Sequence, residues 1–431
     1  MFRHDQPMSS DLLADLEWRG LIAQSTDRKE LAQLLAKPTS LYLGFDPTAP
    51  SLHVGNLVVL LVLRRFQLAG HRPIPLVGGA TGLVGDPSGK NEERSLNDEG
   101  VVADWVLRIR KQLEKVIDFE DKNTGAVMAN NLDWTKPVSA LEFLRDIGKH
   151  FSVNQMLTKD SVASRLSTAG ISYTEFSYQV LQAFDYLELY RRYQCRLQIG
   201  GSDQWGNIVA GLDLIRKVEG ATAHALTIPL LAKSDGSKFG KTASGSIWLD
   251  DQMTSAYEFF QYWLNSDDAD MPKLLKVFSL KPRVEIERLI ETVKVNPGAR
   301  EAHRELAREL TALIHGPQMA QSVEMAAKAL FGQAEIEQLD LQTLTSALAQ
   351  LPKTQIQKNQ PIPTWVDLIT ACGVVDSKSA ARRIVKEGGA YINNRKVESE
   401  DFTPAKTDLL HGRFLLLRKG KRDLAAVEMV S

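Results

Sequence analysis

Two short stretches carry residue types suited to work on a phosphate. The first opens as an apolar run, Tyr42-Leu43-Gly44-Phe45, breaks at Asp46-Pro47-Thr48, and passes through His53-Val54-Gly55-Asn56 into the apolar segment Leu57–Leu63. A strand, a tight polar loop and a helix N-terminus present backbone N–H groups to an anion. His53 stands where that loop enters the helix, so its ring can donate toward phosphate oxygens, while Gly55 permits a close approach. The second stretch is Lys238-Phe239-Gly240-Lys241-Thr242, in a Ser- and Gly-rich segment. Its lysines can neutralise charge on a departing pyrophosphate, on a loop able to close over a ligand and reopen. Taken singly, His53 reads equally as a capping or core histidine, and the lysines as a solvated loop. Together the two motifs argue for a nucleotide site.

Two common phosphate designs are excluded. A Walker loop needs glycine where Val84 stands and Ser or Thr where Asn91 follows Lys90, and Gly78–Gly85 does not match G-x-G-x-x-G.

A third group lies on one helix. Within 174–192, Tyr178, Gln182 and Asp185 stand at i, i+4 and i+7 and share a stripe, while Phe176, Val180, Ala183, Phe184 and Leu187 occupy the other faces. A polar stripe on so apolar a helix is costly to bury without partners. It reads either as a satisfied internal network or as a pocket for a zwitterionic amino acid. Gly200-Gly201-Ser202-Asp203-Gln204 follows a predicted strand, at the end where α/β sheets bind ligands, although those residues also favour an ordinary turn.

A fourth group is basic. Between 378 and 396 stand six cations, Lys378, Arg382, Arg383, Lys386, Arg395 and Lys396, against Glu387, a local charge of +5 in a chain whose total is −1. That segregation suits a phosphate backbone, and a solvated charged face is the competing account.

The elements that must position these groups alternate in type. Amphipathic helices within 10–36 precede a strand at 41–45. Leu57–Leu63 fits strand or helix by periodicity and reads as a buried helix after the His-Val-Gly-Asn turn. Strands follow at 73–78, near 127–131, at 195–199 and at 227–231. This alternation predicts a parallel sheet covered on both faces, with a mostly helical insertion at 98–150. From 254 to 349 the pattern is helical. Residues 351–363, with two prolines near their end, read as a linker.

The 431 residues, 43% hydrophobic and 24% charged, fit two to three globular domains. Cys195 and Cys372 form neither a disulfide framework nor a Cys-rich metal site. The N-terminus has no signal-peptide pattern, and no apolar run approaches membrane-spanning length, so a cytoplasmic protein is expected.

His-Val-Gly-Asn and Lys-Phe-Gly-Lys-Thr resemble the two signature motifs of the class I aminoacyl-tRNA synthetases. Tyr42–Asn56, Val77–Lys90, Tyr178–Asp185 and Gly200–Asn207 are similar, in the same order, to the bacterial tyrosyl-tRNA synthetases. Asn56 stands where the family-wide motif has a second histidine, and Phe239-Gly240 where it has Met-Ser. The resemblance covers nearly the whole chain. It implies a Rossmann-like catalytic domain with a helical insertion (1–232), a lysine loop plus all-α domain (233–350), the linker, and a small α+β S4-like RNA-binding domain (364–431). It implies Asp86, Tyr178 and Gln182 on a substrate ammonium, Tyr42 and Asp185 on a phenol hydroxyl, and Gln204 near the reacting carboxylate. ATP would meet Gly44, Asp46, Thr48, His53, Asn56, Gly201, Asp203 and Lys241, with Lys90 and Arg94 near the phosphates. Catalysis would fall to His53, Asn56, Lys238, Lys241 and Thr242. Mg²⁺ would arrive with ATP and no metal would be held by the protein. The implied partners are L-tyrosine, ATP and tRNA(Tyr), with a homodimer in which tRNA crosses between subunits. A site built to bond a hydroxyl leaves Tyr42 and Asp185 unpaired when phenylalanine enters, a rule for which tyrosyl-tRNA synthetases are themselves the usual illustration. Three rivals stand beside this reading. One is a synthetase for another aromatic amino acid, against which Tyr42 and Asp185 argue. A nucleotidyltransferase sharing the histidine motif would need neither the RNA-binding module nor the amino-acid pocket. A non-enzymatic RNA-binding relative could lose the lysine loop, whereas Lys238 and Lys241 are both present.

Overall fold

Six strands build the sheet that carries these residues: β1 (Gln24–Ser25), β2 (Ser40–Phe45), β3 (Arg72–Val77), β4 (Ala129–Asn130), β5 (Cys195–Gly201) and β6 (His224–Ile228). Their order is β1-β6-β5-β2-β3-β4. The computed structural model describes residues 12–88, 97–158, 162, 166, 170–237, 239–242, 245–420 and 423–430. Strands β2 to β6 run parallel to their neighbours, whereas β1 pairs antiparallel with β6. That antiparallel edge departs from the expected parallel sheet, because a two-residue strand is too short to leave an alternation in the sequence.

From β2 the chain steps outward to β3 and β4 on one side, and later to β5 and β6 on the other. The C-terminal ends of β2 and β5 therefore flank the point where strand order reverses, the usual ligand crevice of an open α/β sheet. The register sets Tyr42 opposite Gln198 across this junction.

Leu57–Leu63 belongs to a helix, Val54–Leu68, whose Val54, Leu57, Leu60, Leu61, Val62, Leu63 and Phe66 are fully buried. Burial on all sides explains why its periodicity was ambiguous. The polar-striped helix spans Tyr173–Tyr193. Ser172 caps it by accepting Glu175 N–H at 3.2 Å, and Gln194 ends it in the left-handed region at φ 54°.

The chain divides into two compact units, Met1–Met253 with Asp267–Ala302, and Thr254–Ser266 with His303–Ser431. This differs from the expected boundary at 232/233, since 233–253 and 267–302 join the sheet unit. In the second unit, helices Ala256–Leu264, Pro317–Leu330 and Leu341–Ala349 pack together. They precede a five-stranded sheet of β9 (Lys353–Gln357), β10 (Ala390–Ile392), β11 (Arg395–Lys396), β12 (Phe414–Lys419) and β13 (Asp423–Val430), ordered β11-β10-β12-β13-β9. Trp365, Ile369, Leu415, Leu417 and Val427 form its core with Ala381 and Val385 of the helix Lys378–Lys386.

The segment expected as a linker is in part a strand of this sheet. Residues 353–357 form β9, parallel to β13, and Ile356 enters the core. Lys-Thr-Gln-Ile-Gln passes for a linker because an edge strand solvated on one face needs few apolar residues.

Candidate active site

The two signature motifs meet through the backbone. Val54 N–H donates to Ile247 O at 2.9 Å, Ile247 N–H to Gly240 O at 3.1 Å, and Leu249 N–H to Leu52 O at 2.8 Å. The short hairpin of β7 (Lys241–Thr242) and β8 (Gly245–Ser246) thus springs from a segment paired alongside His53. Gly240 has φ +79°, and a Cβ there would lie 2.8 Å from Val54 Cγ2, so both conformation and space call for glycine. Lys241 and Thr242 are placed as backbone in β7. Lys238, Lys90 and Arg94 lie outside the described residues.

His53 caps the helix Val54–Leu68 with its ring. Nδ1 accepts Gly55 N–H at 3.0 Å and Asn56 N–H at 3.3 Å, while Asn56 Oδ1 accepts His53 N–H at 3.1 Å. Nδ1 as acceptor places the ring proton on Nε2, the donor end a phosphate would need. Capping through Nδ1 is therefore compatible with a donor role for Nε2, so the two accounts set out above do not exclude one another. The close approach at Gly55 comes from that ring: a Cβ would sit 2.7 Å from His53 Cε1. Asn56 serves the capping box, which accounts for an amide in place of the second imidazole.

One cavity of about 520 Å³ gathers the predicted residues. Tyr42, Gly44, Asp46, Thr48, His53, Asn56, Asp86, Tyr178, Gln182, Asp185, Gly201, Asp203 and Gln204 all line it. At its inner end Tyr42 is 1% exposed, with its hydroxyl buried and unpartnered. Asp185 is held there by two donors, Trp134 Nε1–H to Oδ1 at 2.8 Å and Asn131 Nδ2 to Oδ2 at 3.0 Å. Burial pushes the Asp185 carboxyl up to about 7 against the pull of those two donors. Burial, then the nearby Asp185 charge, holds the Tyr42 hydroxyl protonated. The inner end thus offers one hydroxyl donor and one carboxylate acceptor, which is what a buried phenol hydroxyl needs.

On the cavity wall, Tyr178 donates its hydroxyl proton to Asp46 Oδ2 at 2.6 Å. Its oxygen can then only accept, which suits an ammonium. Gln204 Nε2 donates to Asp86 Oδ2 at 2.7 Å, and Asn207 Nδ2 reaches both Gln182 Oε1 and Gln204 Oε1 at 3.2 Å. The helical stripe is therefore both a bonded network and a cavity wall.

Thr81, Asn131, Trp134, Gln198 and Asn207 were not anticipated. Gln198 is 2% exposed, lines the cavity beside Tyr42 and leaves Oε1 without a partner. A glutamine between Leu197 and Ile199 was the one available signal. Asn131 and Trp134 left none, because their partner Asp185 lies about fifty residues on.

In the second unit the basic residues find acids. Lys378 meets Asp367 at 2.6 Å, Lys386 and Arg382 meet Glu400 at 3.1 and 3.8 Å, Arg383 meets Glu387 at 3.8 Å, and Arg395 meets Asp408 at 2.6 Å. The local +5 counted along the sequence falls to +2 when Asp367, Glu400 and Asp408 are added to Glu387 (six cations, four acids). Lys378, Arg382, Arg383, Lys386 and Arg395 remain more than half exposed.

Residues 35–332 match the family of class I tRNA synthetases (W and Y), and residues 343–427 match the tyrosine–tRNA ligase SYY-like C-terminal domain. The tyrosine–tRNA ligase of Streptomyces avermitilis is 57% identical over 423 residues, covering 97% of this chain and 99% of that one. That of Mycobacterium leprae is 53% identical over 428 residues, covering 98% and 100%. A C-terminally truncated mitochondrial tyrosyl-tRNA synthetase of Aspergillus nidulans superposes with a TM-score of 0.68 at 32% identity, covering 74% of this chain and 94% of that one. The chain belongs to the class I tRNA synthetases. Within that class it falls among the bacterial-type tyrosyl-tRNA synthetases, and its activity is that of a tyrosine–tRNA ligase.

Proposed function

We propose that the chain activates L-tyrosine with ATP and passes the tyrosyl group to tRNA(Tyr), with the cavity residues in the following roles. The unpartnered Tyr42 hydroxyl beside Asp185 carries the reading. Tyr42 donates to the phenol oxygen, and Asp185 accepts the phenol proton. Tyr178, Asp86 and Gln182 hold the ammonium. The carboxylate then lies toward Gln204 and the His53 end of the cavity.

There a tyrosine carboxylate oxygen bonds to the α-phosphorus of ATP as the bond from that phosphorus to the bridging oxygen breaks. Pyrophosphate leaves with the Mg²⁺ that accompanied ATP, giving tyrosyl-adenylate. The oxygen of a ribose hydroxyl of the tRNA 3′-terminal adenosine next bonds to the tyrosyl carbonyl carbon as the bond from that carbon to the phosphate oxygen breaks. AMP leaves, and the hydroxyl proton passes to the departing phosphate or to solvent. Asp203 and Gly201 hold the ribose, with Gly44, Asp46 and Thr48 along the nucleotide. His53 and Thr242 donate hydrogen bonds toward the phosphates, while Lys238, Lys241, Lys90 and Arg94 balance the charge that develops there. Catalysis comes from placement and electrostatics.

Lys378, Arg382, Arg383, Lys386, Arg395 and Lys396 form the tRNA-binding face of an S4-like module. A homodimer belongs to this reading; Leu141 and Leu144, three residues apart, and Val153 are 80%, 54% and 59% exposed, apolar area that a second copy would cover. Among the described residues no helix is long and apolar enough to cross a membrane, and a cytoplasmic site of action accords with work on tRNA.

Tyrosine-dependent exchange of pyrophosphate into ATP, run beside phenylalanine and tryptophan, tests the reading. Exchange with tyrosine far above that with phenylalanine or tryptophan is expected. No exchange with tyrosine defeats the proposal, and equal exchange with phenylalanine defeats the roles of Tyr42 and Asp185.

A further inference from the structure

Thr81 links two carboxylates, Asp46, which also accepts the Tyr178 hydroxyl, and, through Asn131, Asp185 of the amino-acid pocket. Its hydroxyl donates to Asp46 Oδ1 at 2.7 Å and accepts from Asn131 Nδ2 at 3.0 Å. Asn131 Nδ2 also donates to Asp185 Oδ2 at 3.0 Å, and its carbonyl accepts Ala80 N–H at 2.7 Å. Asp46 accepts the Tyr178 hydroxyl at 2.6 Å on its other oxygen. The directions are forced. An amide NH₂ can only donate, so Thr81 receives from Asn131, and its single proton goes to Asp46. Thr81 is 2% and Asn131 0% exposed, so water does not replace these bonds. The neighbouring backbone leaves room for them: a Cβ at Gly78 would fall 2.2 Å from Asp46 Oδ1 and 2.3 Å from Thr81 Oγ1.

We propose that Thr81 is a positioning residue that couples the phenol end of the site, Asp185, to the ammonium end, Asp46 with Tyr178. The inference rests on the amino-acid pocket assigned above. In a buried chain of hydrogen bonds each bond polarises the next, so a change at one carboxylate is felt at the other. Removing the Thr81 hydroxyl takes one of three bonds from the Asn131 side chain and one donor from Asp46. The loss at Asp46 and Tyr178 affects every amino acid, since all carry the ammonium. The loss at Asn131 and Asp185 affects only a ligand with a phenol hydroxyl.

The experiment compares wild type, Thr81→Val and Thr81→Ser in pyrophosphate exchange with tyrosine and with phenylalanine, alongside thermal unfolding. For Thr81→Val, kcat/KM falls for both amino acids, and the tyrosine-over-phenylalanine ratio narrows by roughly tenfold. Thr81→Ser keeps the hydroxyl and restores the ratio. A general packing defect lowers both substrates in proportion, so an unchanged ratio in Thr81→Val overturns the coupling, as does a Thr81→Ser enzyme that behaves like Thr81→Val. If Thr81→Val does not fold, Thr81→Ala supplies the same comparison, with dissociation constants for the two amino acids from equilibrium dialysis. Wild-type enzyme without tyrosine-dependent exchange overturns the pocket assignment instead, a result separate from either outcome for Thr81.

Discussion

Trp134 donates its indole N–H to Asp185 Oδ1 at 2.8 Å, from just beyond β4 to the buried face of the helix Tyr173–Tyr193. With Asn131 on the other oxygen, it keeps a buried carboxyl available as an acceptor beside Tyr42.

Trp134→Phe removes that donor and keeps most of the ring volume. A hydrogen bond to a charged group contributes about 1.5–3 kcal/mol, so kcat/KM for tyrosine should drop roughly tenfold or more at neutral pH, with phenylalanine little affected. The acid limb of the tyrosine profile should also move to higher pH, because burial then acts on Asp185 with less opposition. Exchange rates measured across pH check both effects, and an unmoved limb would contradict the assignment.

The Asp185 carboxyl itself sets a pH dependence. With its pKa raised to about 7, kcat/KM for tyrosine should climb as pH rises through 7, and Asp185→Asn should lose that climb. In stability the sign reverses. Between the ordinary carboxyl value of 3.8 and about 7 the folded protein binds the extra proton, so this group's contribution falls as pH rises through that window. The stability gained in Asp185→Asn over wild type should therefore grow from pH 4 to 7 and level off above, as urea unfolding of both proteins would reveal.

The role proposed for His53 predicts an effect on chemistry without one on substrate binding. Gly55→Ala puts a Cβ 2.7 Å from His53 Cε1 and must displace the ring. Adenylate formation should slow at least about tenfold, the scale of one lost transition-state contact, while tyrosine affinity holds. Asn56→Ala loses the bond to His53 N–H and should cost about 1 kcal/mol of stability. Rapid-quench assays, tyrosine dialysis and urea titration distinguish the two.

The basic face makes an ionic-strength prediction. Arg383→Ala and Lys396→Ala should each weaken tRNA binding and reduce the slope of log K against log salt by roughly 1, with pyrophosphate exchange unaltered. An unchanged salt slope would place the tRNA elsewhere.

His71, buried at the start of the third strand's approach, has its imidazole pushed down to about 4 by desolvation. Unfolded chains bind its proton from 6.5 downward, so its contribution to stability is present above 6.5 and lost as pH falls toward 4. His71→Phe should flatten that part of the stability profile.

The sequence by itself determined the two signature motifs, the polar stripe Tyr178, Gln182 and Asp185, and the alternation of strands and helices. Each is written within a few consecutive residues, where helical or strand periodicity makes position predict direction. Tertiary structure decided what each polar atom meets. Asp185 finds Trp134 and Asn131 from about fifty residues away, Thr81 links Asn131 to Asp46, and Gln198 lies beside Tyr42 only because β5 pairs with β2. The same holds for Asp367, Glu400 and Asp408, which cancel three of the five charges counted along the basic segment and leave +2. Such pairings depend on how separate elements pack, and a buried polar group's protonation depends on those partners. Local spacing carries neither.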